Sequence, residues 1–330
     1  MSSVALPQLQ NNDSVPAPVE PGTRSLLSRV FNGDQIARGV VGAAALLILV
    51  ITAALIYELW TNSALSREKF GWSFLTTSTW DPNAEKFGAL PFLYGTVVTT
   101  AVALLIGVPL GVGAAIFLAE LAPRKLSAAV TFCIELLAAV PSVIYGLLGV
   151  FVMIPFLKSA VAPVLKATLG WTPIFSGPFY GVSVLSAGIV LSLMILPFIV
   201  SVSRQVLLSV PHEQREGALA LGATKWETTW QVVVPFAKRG IAGSIFLALA
   251  RSLGETMAVT MVIGNAPQIK ASLFAPGYSI AAVIANEFTE ATFDLYVNSL
   301  IELGLVLFAL TIVINGIARL LVGSSEAVAR

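Results

Sequence analysis

Six runs of about twenty apolar residues constrain this chain more than any other feature of its sequence. A helix needs roughly 20 apolar residues to cross the hydrocarbon core of a membrane. Only 11% of the 330 residues are charged, against about 25% in a soluble domain. The sequence therefore predicts an all-α membrane protein with six transmembrane helices. The predicted spans are Gly39–Leu59, Leu93–Leu118, Ala128–Leu157, Gly181–Val202, Gly240–Gly264 and Leu300–Ile317.

The segments between and around the spans have their own signals. Residues 1–38 are polar and contain four prolines, which predicts a disordered tail, and residues 321–330 form a second short tail. The segment over residues 265–298 is long and partly apolar, so we expect a short helix within it. Pro141 predicts a kink or a tilted entry in the third span. Gly107 and Gly111 form a small-xxx-small pair in the second span, which lets another helix approach closely.

Lysines and arginines predict the orientation of the spans, because they concentrate on the cytoplasmic side of membrane proteins. If both termini are cytoplasmic, twelve of these residues fall in inner segments and one, Arg251, lies within a span. This bias predicts cytoplasmic termini and places residues 209–236 in a cytoplasmic loop. The residues left in outer segments are Arg67, Lys69, Lys86, Lys158, Lys166 and Lys270.

The loop over residues 209–236 has the pattern of a short helical hairpin. Ser209 followed by Pro211 is typical of a helix start, and Gly222 of a helix stop in the left-handed conformation. Thr224 followed by Glu227 has the capping-box pattern that starts a second helix. A compact hairpin of this kind, rich in small residues, suits close docking of a partner, although an ordinary structured loop is equally compatible with the pattern.

The same loop contains an incomplete nucleotide-binding motif. Gly217 and Gly222 have the spacing of the two glycines that open a P-loop. A P-loop continues with Lys and then Ser or Thr, which bind phosphate and Mg²⁺, but Ala223 stands in place of the lysine. We therefore expect these glycines to shape the hairpin and to bind no nucleotide.

The hairpin resembles the EAA loop of ABC importer permeases, which reads Glu-Ala-Ala, three residues, Gly, nine residues, Ile-x-Leu-Pro. The matching residues here are Glu216, Gly217, Ala218, Gly222, Val232, Val234 and Pro235. Gly217 replaces the middle alanine, and two valines replace isoleucine and leucine, which preserves size and polarity. The resemblance implies a type I ABC importer permease fold with a cytoplasmic coupling helix that docks on a separate ATPase. It also implies that the docking residues are Glu216, Gly217, Ala218, Ala220, Gly222 and Pro235.

Charges inside the predicted fifth span are candidates for a substrate pathway. Placing Arg251 in a span costs about 2.5–3.5 kcal/mol on insertion scales, so such a residue marks a functional site by default. Its planar guanidinium can donate two parallel hydrogen bonds to an oxyanion. Glu255 follows four residues later, about one turn away on the same helix face, beside a stripe of hydroxyls from Ser252, Thr256 and Thr260. A purely structural Arg251–Glu255 ion pair is the alternative.

Glu135, in the predicted third span, is a further candidate. It could pair with Arg251 or gate the pathway, and an ordinary structural pairing is at least as compatible with the sequence. A single histidine and a single cysteine, Cys133, leave no zinc-type metal site and no internal disulfide.

The segment Ala250–Asn265, "ARSLGETMAVTMVIGN", resembles the fifth-span signature of PstC-type permeases of the ABC phosphate importer. The companion PstA-type permeases continue their Gly-Glu-Thr with Ala-Pro, whereas this chain continues with Met257 and Ala258. The resemblance covers residues 93–317 and implies a permease core over residues 93–320, in which Arg251 and Glu255 act in phosphate transport.

The same resemblance implies the partners. They are a homologous second permease of the PstA type forming a heterodimer, a cytoplasmic ATPase dimer of the PstB type and an extracytoplasmic phosphate-binding protein of the PstS type. ATP hydrolysis would then occur on the ATPase, and this chain would bind no cofactor. From the residues alone, transport of another oxyanion stays open, as does an ion-driven secondary transporter that uses Glu135 or Glu255 as a proton site. A membrane enzyme is disfavoured, because the sequence offers no nucleophile–base pair.

Overall fold

The computed structural model describes residues 33–324, and these form two units that divide after Leu55. Residues 33–38, at the end of the predicted tail, belong to the first helix, and the rest of that tail and residues 325–330 lie outside the described part. The helices are α1 (Gly33–Asn62), α2 (Ala64–Phe70), α3 (Ser73–Thr76), α4 (Leu90–Leu121), α5 (Arg124–Ala138), α6 (Ser142–Leu169), α7 (Val184–Leu208), α8 (His212–Ala220), α9 (Lys225–Leu253), α10 (Met257–Ile263), α11 (Ile280–Glu287) and α12 (Asp294–Ser324).

Six helices of the described residues are long and apolar enough to cross a membrane, which confirms the predicted number. They are α1, α4, α6, α7, α9 and α12, with mean hydropathies between 1.6 and 2.7. Within the first unit, the side chains of α1 over residues 37–55 are almost all exposed. Within the second unit, helix α8 and helix α11 lie at opposite ends of α9, and we call these the α8 end and the α11 end.

The third and fifth predicted spans differ most from the observed helices. The third span, predicted over residues 128–157, is divided between α5 and α6, because the chain leaves the helix at residues 139–141. The cause is Pro141, which has no N–H to donate and disfavours a helical conformation at the residue before it. A break therefore replaces the expected kink, and the long apolar helix begins only at Ser142.

The fifth span also differs from its prediction over residues 240–264. Its helix begins earlier, at Lys225, and ends at Leu253, after which Gly254, Glu255 and Thr256 are not helical. The hairpin's second helix is thus the start of the spanning helix α9. A π-helical turn over Thr229–Val233 precedes Pro235 and accommodates its missing N–H without ending the helix.

Helix α7 lies at the centre of the second unit and packs most closely on α4. In its most apolar window 72% of the residues are buried, against at most 33% in the other spans. The predicted close approach at Gly107 and Gly111 is confirmed: a Cβ added at Gly107 would lie 3.1 Å from Ile195, and one at Gly111 would lie 2.7 Å from Ile199. A Cβ at Gly188 of α7 would likewise lie 2.4 Å from Val102 of α4.

An aromatic cluster closes the α11 end, where the predicted short helix appears as α11. Trp80 donates a hydrogen bond from Nε1 to Oε2 of Glu287 at 2.8 Å, and the hydroxyl of Tyr296 donates to the same oxygen at 2.6 Å. The ring of Phe87 stacks on Tyr296 with centroids 5.3 Å apart. Burial raises the pKa of the nearby Tyr278 phenol to about 12.

We predict that Gly111→Ala destabilises the second unit while Gly113→Ala does not. The added methyl at residue 111 meets the branched side chain of Ile199, and overpacking of this kind costs about 1–3 kcal/mol. At Gly113, on the same helix, a Cβ would meet no atom within 4 Å. Thermal unfolding of the two purified variants in detergent measures the difference. Equal midpoints would show that the α4–α7 contact tolerates a side chain.

Candidate functional site

Two interrupted helices meet beside Arg251. The break at residues 139–141 and the break at residues 254–256 are brought together by a core cluster that contains Tyr145, Ala248 and Ala258, with Val140 packed against it. Helices α6 and α10 touch closely there, since a Cβ added at Gly146 would lie 3.2 Å from Cα of Ala258. In membrane proteins non-helical backbone is tolerated where it is buried in protein or lines a cavity. The junction is therefore a candidate substrate site.

Arg251 occupies the last turn of α9, not the middle of a span as the sequence predicted. A cation at a helix C-terminus interacts favourably with the helix dipole. The guanidinium carbon lies 4.5 Å from the ring centroid of Phe198 on α7, a cation–π contact. Arg251 is exposed, and it forms no ion pair with any carboxylate of residues 37–320, whose side chains the structure describes. Its hydrogen-bonding edge is thus available to an anion.

Glu255 does not pair with Arg251, which corrects the predicted arrangement on one helix face. The helix ends between the two residues, so the four-residue spacing no longer places them one above the other. Instead, Oε1 of Glu255 accepts a hydrogen bond from the backbone N–H of Ala258 at 3.2 Å. Glu255 therefore caps the N-terminus of α10, where a negative charge is favourable.

The predicted hydroxyl stripe is also interrupted. Ser252 is buried, and its hydroxyl donates to the carbonyl of Leu249 at 2.8 Å. Thr256 precedes α10 and donates to Gly254, while Thr260 donates to the carbonyl of Thr256 at 2.7 Å. All three hydroxyls use their proton on local backbone, so they offer an anion no free hydroxyl proton in this conformation.

Glu135 lies on α5, outside the spanning helix α6 to which the sequence assigned it. Its side chain is exposed and forms no ion pair with Arg251. The residues that do accompany Arg251 are aromatic. Phe198 supplies its cation–π contact, and the buried Tyr145 donates its hydroxyl to the carbonyl of Leu137 at the end of α5. No sequence signal identified these two rings, because they come from helices distant along the chain.

The predicted helical hairpin is present at the α8 end. Helix α8 ends at Ala220, and Gly222 has a φ of 89°, the left-handed conformation expected of it. Thr224 and Glu227 form the predicted capping box: the Thr224 N–H donates to Oε2 of Glu227 at 2.8 Å, and the Glu227 N–H donates to Oγ1 of Thr224 at 3.2 Å. Ser209 does not start α8; its hydroxyl donates to Val206 at the end of α7.

The hairpin presents most of its predicted docking residues to solvent. Glu216, Gly217 and Ala220 are exposed, Ala218 is half-buried, and a Cβ added at Gly217 would meet no atom within 4 Å. Gly222 and Pro235 are exposed as well. Leu221, at the tip, is 90% exposed. Gly217 is helical, so the two glycines do not enclose a phosphate-binding loop.

One contact of the hairpin was not predicted from the sequence. Arg215 of α8 forms an ion pair with Glu120 at the end of α4, with NH2 and Oε1 2.9 Å apart. The two residues are 95 positions apart in the sequence, and no local pattern joins them.

Comparison with solved structures shows that this fold is similar to that of an ABC transporter. A bacterial ABC transporter involved in the import of the acidic polysaccharide alginate superposes with a TM-score of 0.56, covering 89% of this chain and 98% of that chain at 16% identity. At this identity the likeness concerns the fold alone, and that fold is the predicted type I ABC importer permease.

Sequence relatives give the family. A family model described as "binding-protein-dependent transport system inner membrane component" matches residues 107–324, and the chain belongs to this family. It is therefore a membrane transport component rather than an enzyme. The "phosphate transport system permease protein PstC" of Mesorhizobium japonicum is 49% identical over 87% of this chain and 89% of that protein. The protein of the same name from Haemophilus influenzae is 47% identical over 84% and 89%.

We predict that Thr224→Ala loosens the first turn of α9. Loss of an N-cap side chain costs about 1 kcal/mol, which corresponds to roughly fivefold faster amide exchange if opening is local. Hydrogen–deuterium exchange of the purified variant measures this effect in peptides that cover residues 225–228. Thr224→Ser, which keeps the hydroxyl, is expected to exchange like the wild type. Unchanged exchange in Thr224→Ala would mean that the capping box contributes nothing to this turn.

Proposed function

We propose that this chain is the transmembrane permease subunit of an ATP-driven, binding-protein-dependent importer of inorganic phosphate. The observation that carries the proposal is the exposed hairpin with the EAA spacing from Glu216 to Pro235, in a chain whose relatives over most of its length are named as phosphate permeases. A secondary transporter has no need of a docking hairpin. The exposed guanidinium of Arg251 is consistent with an oxyanion as cargo.

The hairpin is the proposed docking site for a cytoplasmic ATPase dimer of the PstB type. Exposed Leu219 and Leu221 supply apolar contact area, and Glu216 supplies a charge beside them. The small residues Gly217, Ala218 and Ala220 let the partner's backbone approach closely. ATP would be bound and hydrolysed on that partner, and this chain would bind no cofactor.

The pathway for phosphate is proposed to run along the face of α9 that carries Arg251. Exposed residues recur on this face at Leu247, Ala250, Arg251 and Gly254, so the second unit leaves it uncovered. A homologous permease of the PstA type would cover the face and complete the pathway in a heterodimer. Glu255 and Thr256, in the break between α9 and α10, and Ser252, just before it, remain candidate pathway residues, as does Glu135.

The orientation follows from the charge bias. With cytoplasmic N- and C-termini, the α8 end faces the cytoplasm and the α11 end faces the other side of the membrane. A phosphate-binding protein of the PstS type would then deliver its cargo at the α11 end. Closure of the ATPase dimer on ATP would draw the two coupling hairpins together and open the pathway outward, and hydrolysis would reset it.

We predict that cells lacking this chain lose uptake of labelled phosphate at limiting concentration, and that returning the chain restores it. Excess sulfate should not compete, because the proposed cargo is phosphate. A strain without other phosphate importers makes the measurement specific. If sulfate competed as strongly as unlabelled phosphate, the chain would serve another oxyanion. Restored uptake that persists without ATP would instead indicate an ion-driven transporter.

We predict that Arg251→Ala abolishes this uptake while the chain remains inserted in the membrane. Hydrogen bonds to a charged group are worth about 1.5–3 kcal/mol, so a loss of at least about tenfold is expected. Arg251→Lys keeps the charge without the planar fork and should retain part of the activity. Arg124→Ala, which removes an exposed arginine at the α8 end, is the matched control. Normal uptake by Arg251→Ala would remove Arg251 from the pathway.

A further inference from the structure

Helix α8 has almost no apolar anchorage. None of its nine residues is buried, and only Arg215 and Ala218 are partly covered. Helices α4, α6, α7 and α9, by contrast, are joined by buried side chains. A helix held by so little apolar contact needs polar contacts to keep a fixed position on the protein.

Arg215 supplies those contacts and joins three elements. From α8, its guanidinium donates to Glu120 at the end of α4, with NH2 2.9 Å from Oε1 and Nε 3.4 Å from Oε2. NH2 also donates to the carbonyl of Leu207 at 2.7 Å, and NH1 donates to the carbonyl of Val210. Leu207 lies in the last turn of α7, where a cation is favourable.

The ion pair is shielded from solvent. The side chains of Arg215 and Glu120 are 14% and 11% exposed. The Lys69–Glu85 pair at the α11 end, with nitrogen and oxygen 2.8 Å apart, has side chains that are 45% and 59% exposed. Removing one partner of a shielded pair leaves an uncompensated charge, whereas exposed pairs contribute little. Arg215 and Glu120 are therefore expected to stay together when α8 moves.

The elements that Arg215 joins to α8 are themselves tightly packed. Helices α4 and α7 contact each other through Gly107, Gly111 and Gly188, where no room remains for a side chain. A displacement of α8 that pulls Glu120 and the end of α7 would therefore move the two helices together. Phe198, which contacts Arg251, lies on α7.

Two consecutive residues of α8 thus face different surroundings. Glu216 is exposed on the proposed docking surface, while Arg215 reaches the transmembrane helices. We propose that the Arg215–Glu120 ion pair is the mechanical link through which movement of the docked coupling helix reaches α4 and α7. This assignment of Arg215 and Glu120 as positioning residues rests on the proposed function.

The test uses the complete complex in proteoliposomes, with its ATPase and phosphate-binding protein, and measures phosphate uptake and ATP hydrolysis together. Glu120→Gln is expected to keep the ATPase bound and hydrolysing, while phosphate imported per ATP falls about tenfold, within the range of ordinary coupling energies. Glu85→Gln, which breaks the exposed pair in the same chemical way, should leave the ratio unchanged. Hydrolysis and uptake that stay coupled in Glu120→Gln would overturn the proposal.

A covalent crosslink in place of the ion pair tests whether the pair transmits movement or only stabilises the structure. In a Cys133→Ser background, Glu120→Cys with Arg215→Cys should uncouple the complex, and a short bifunctional maleimide that joins the two cysteines should restore phosphate imported per ATP. A crosslinked complex that stays uncoupled would overturn the link. Failure of these variants to insert or to co-purify with the ATPase would also overturn it, because the pair would then serve assembly.

Measurements on the wild-type complex distinguish failure of the proposed ion-pair link from failure of the proposed function. Wild-type proteoliposomes that import no phosphate on addition of ATP would reject the proposed function itself. Wild-type import together with unaltered coupling in both sets of variants would reject only the role of Arg215 and Glu120.

Discussion

Backbone N–H and C=O groups have no water to bond within a bilayer, and the structure depends on how the chain meets this constraint. Most of these groups are satisfied inside long helices. At the break before Pro141, the Tyr145 hydroxyl donates to the carbonyl of Leu137. At the break after Leu253, the carboxylate of Glu255 accepts from the N–H of Ala258. Polar side chains near the candidate substrate site therefore form hydrogen bonds with backbone groups at the two breaks.

The second unit combines a tightly packed interior with exposed surfaces, two of which carry the candidate functional residues. Helix α7 is enclosed by its neighbours, and glycines bring α4 into direct contact with it. The Arg251 face of α9 and the hairpin around α8 are exposed. This distribution suits a subunit that moves as a body, because a tightly packed interior transmits displacement.

Local rules predicted the hairpin well and the broken spans poorly. Gly222 and the Thr224–Glu227 capping box depend on residues within a few positions of each other, so the sequence contained the whole signal. The third and fifth spans were read from hydropathy, which measures apolar length and not helix continuity. Glycine is common within membrane helices. Nothing in the local sequence therefore indicated that the helix would break at Gly254 and not continue through it. The expected placement of Glu255 one turn from Arg251 on the same helix face failed for that reason.

The sequence by itself determined the number of apolar spans, the helical hairpin and the presence of an arginine in the fifth apolar segment, because hydropathy, capping and charge are properties of short segments. The tertiary structure alone decided which residues accompany them. Phe198 lies over Arg251 and Glu120 binds Arg215 only because helices distant along the chain are packed side by side. The physical reason is that such contacts depend on the three-dimensional arrangement of whole helices, and no spacing along the chain specifies that arrangement.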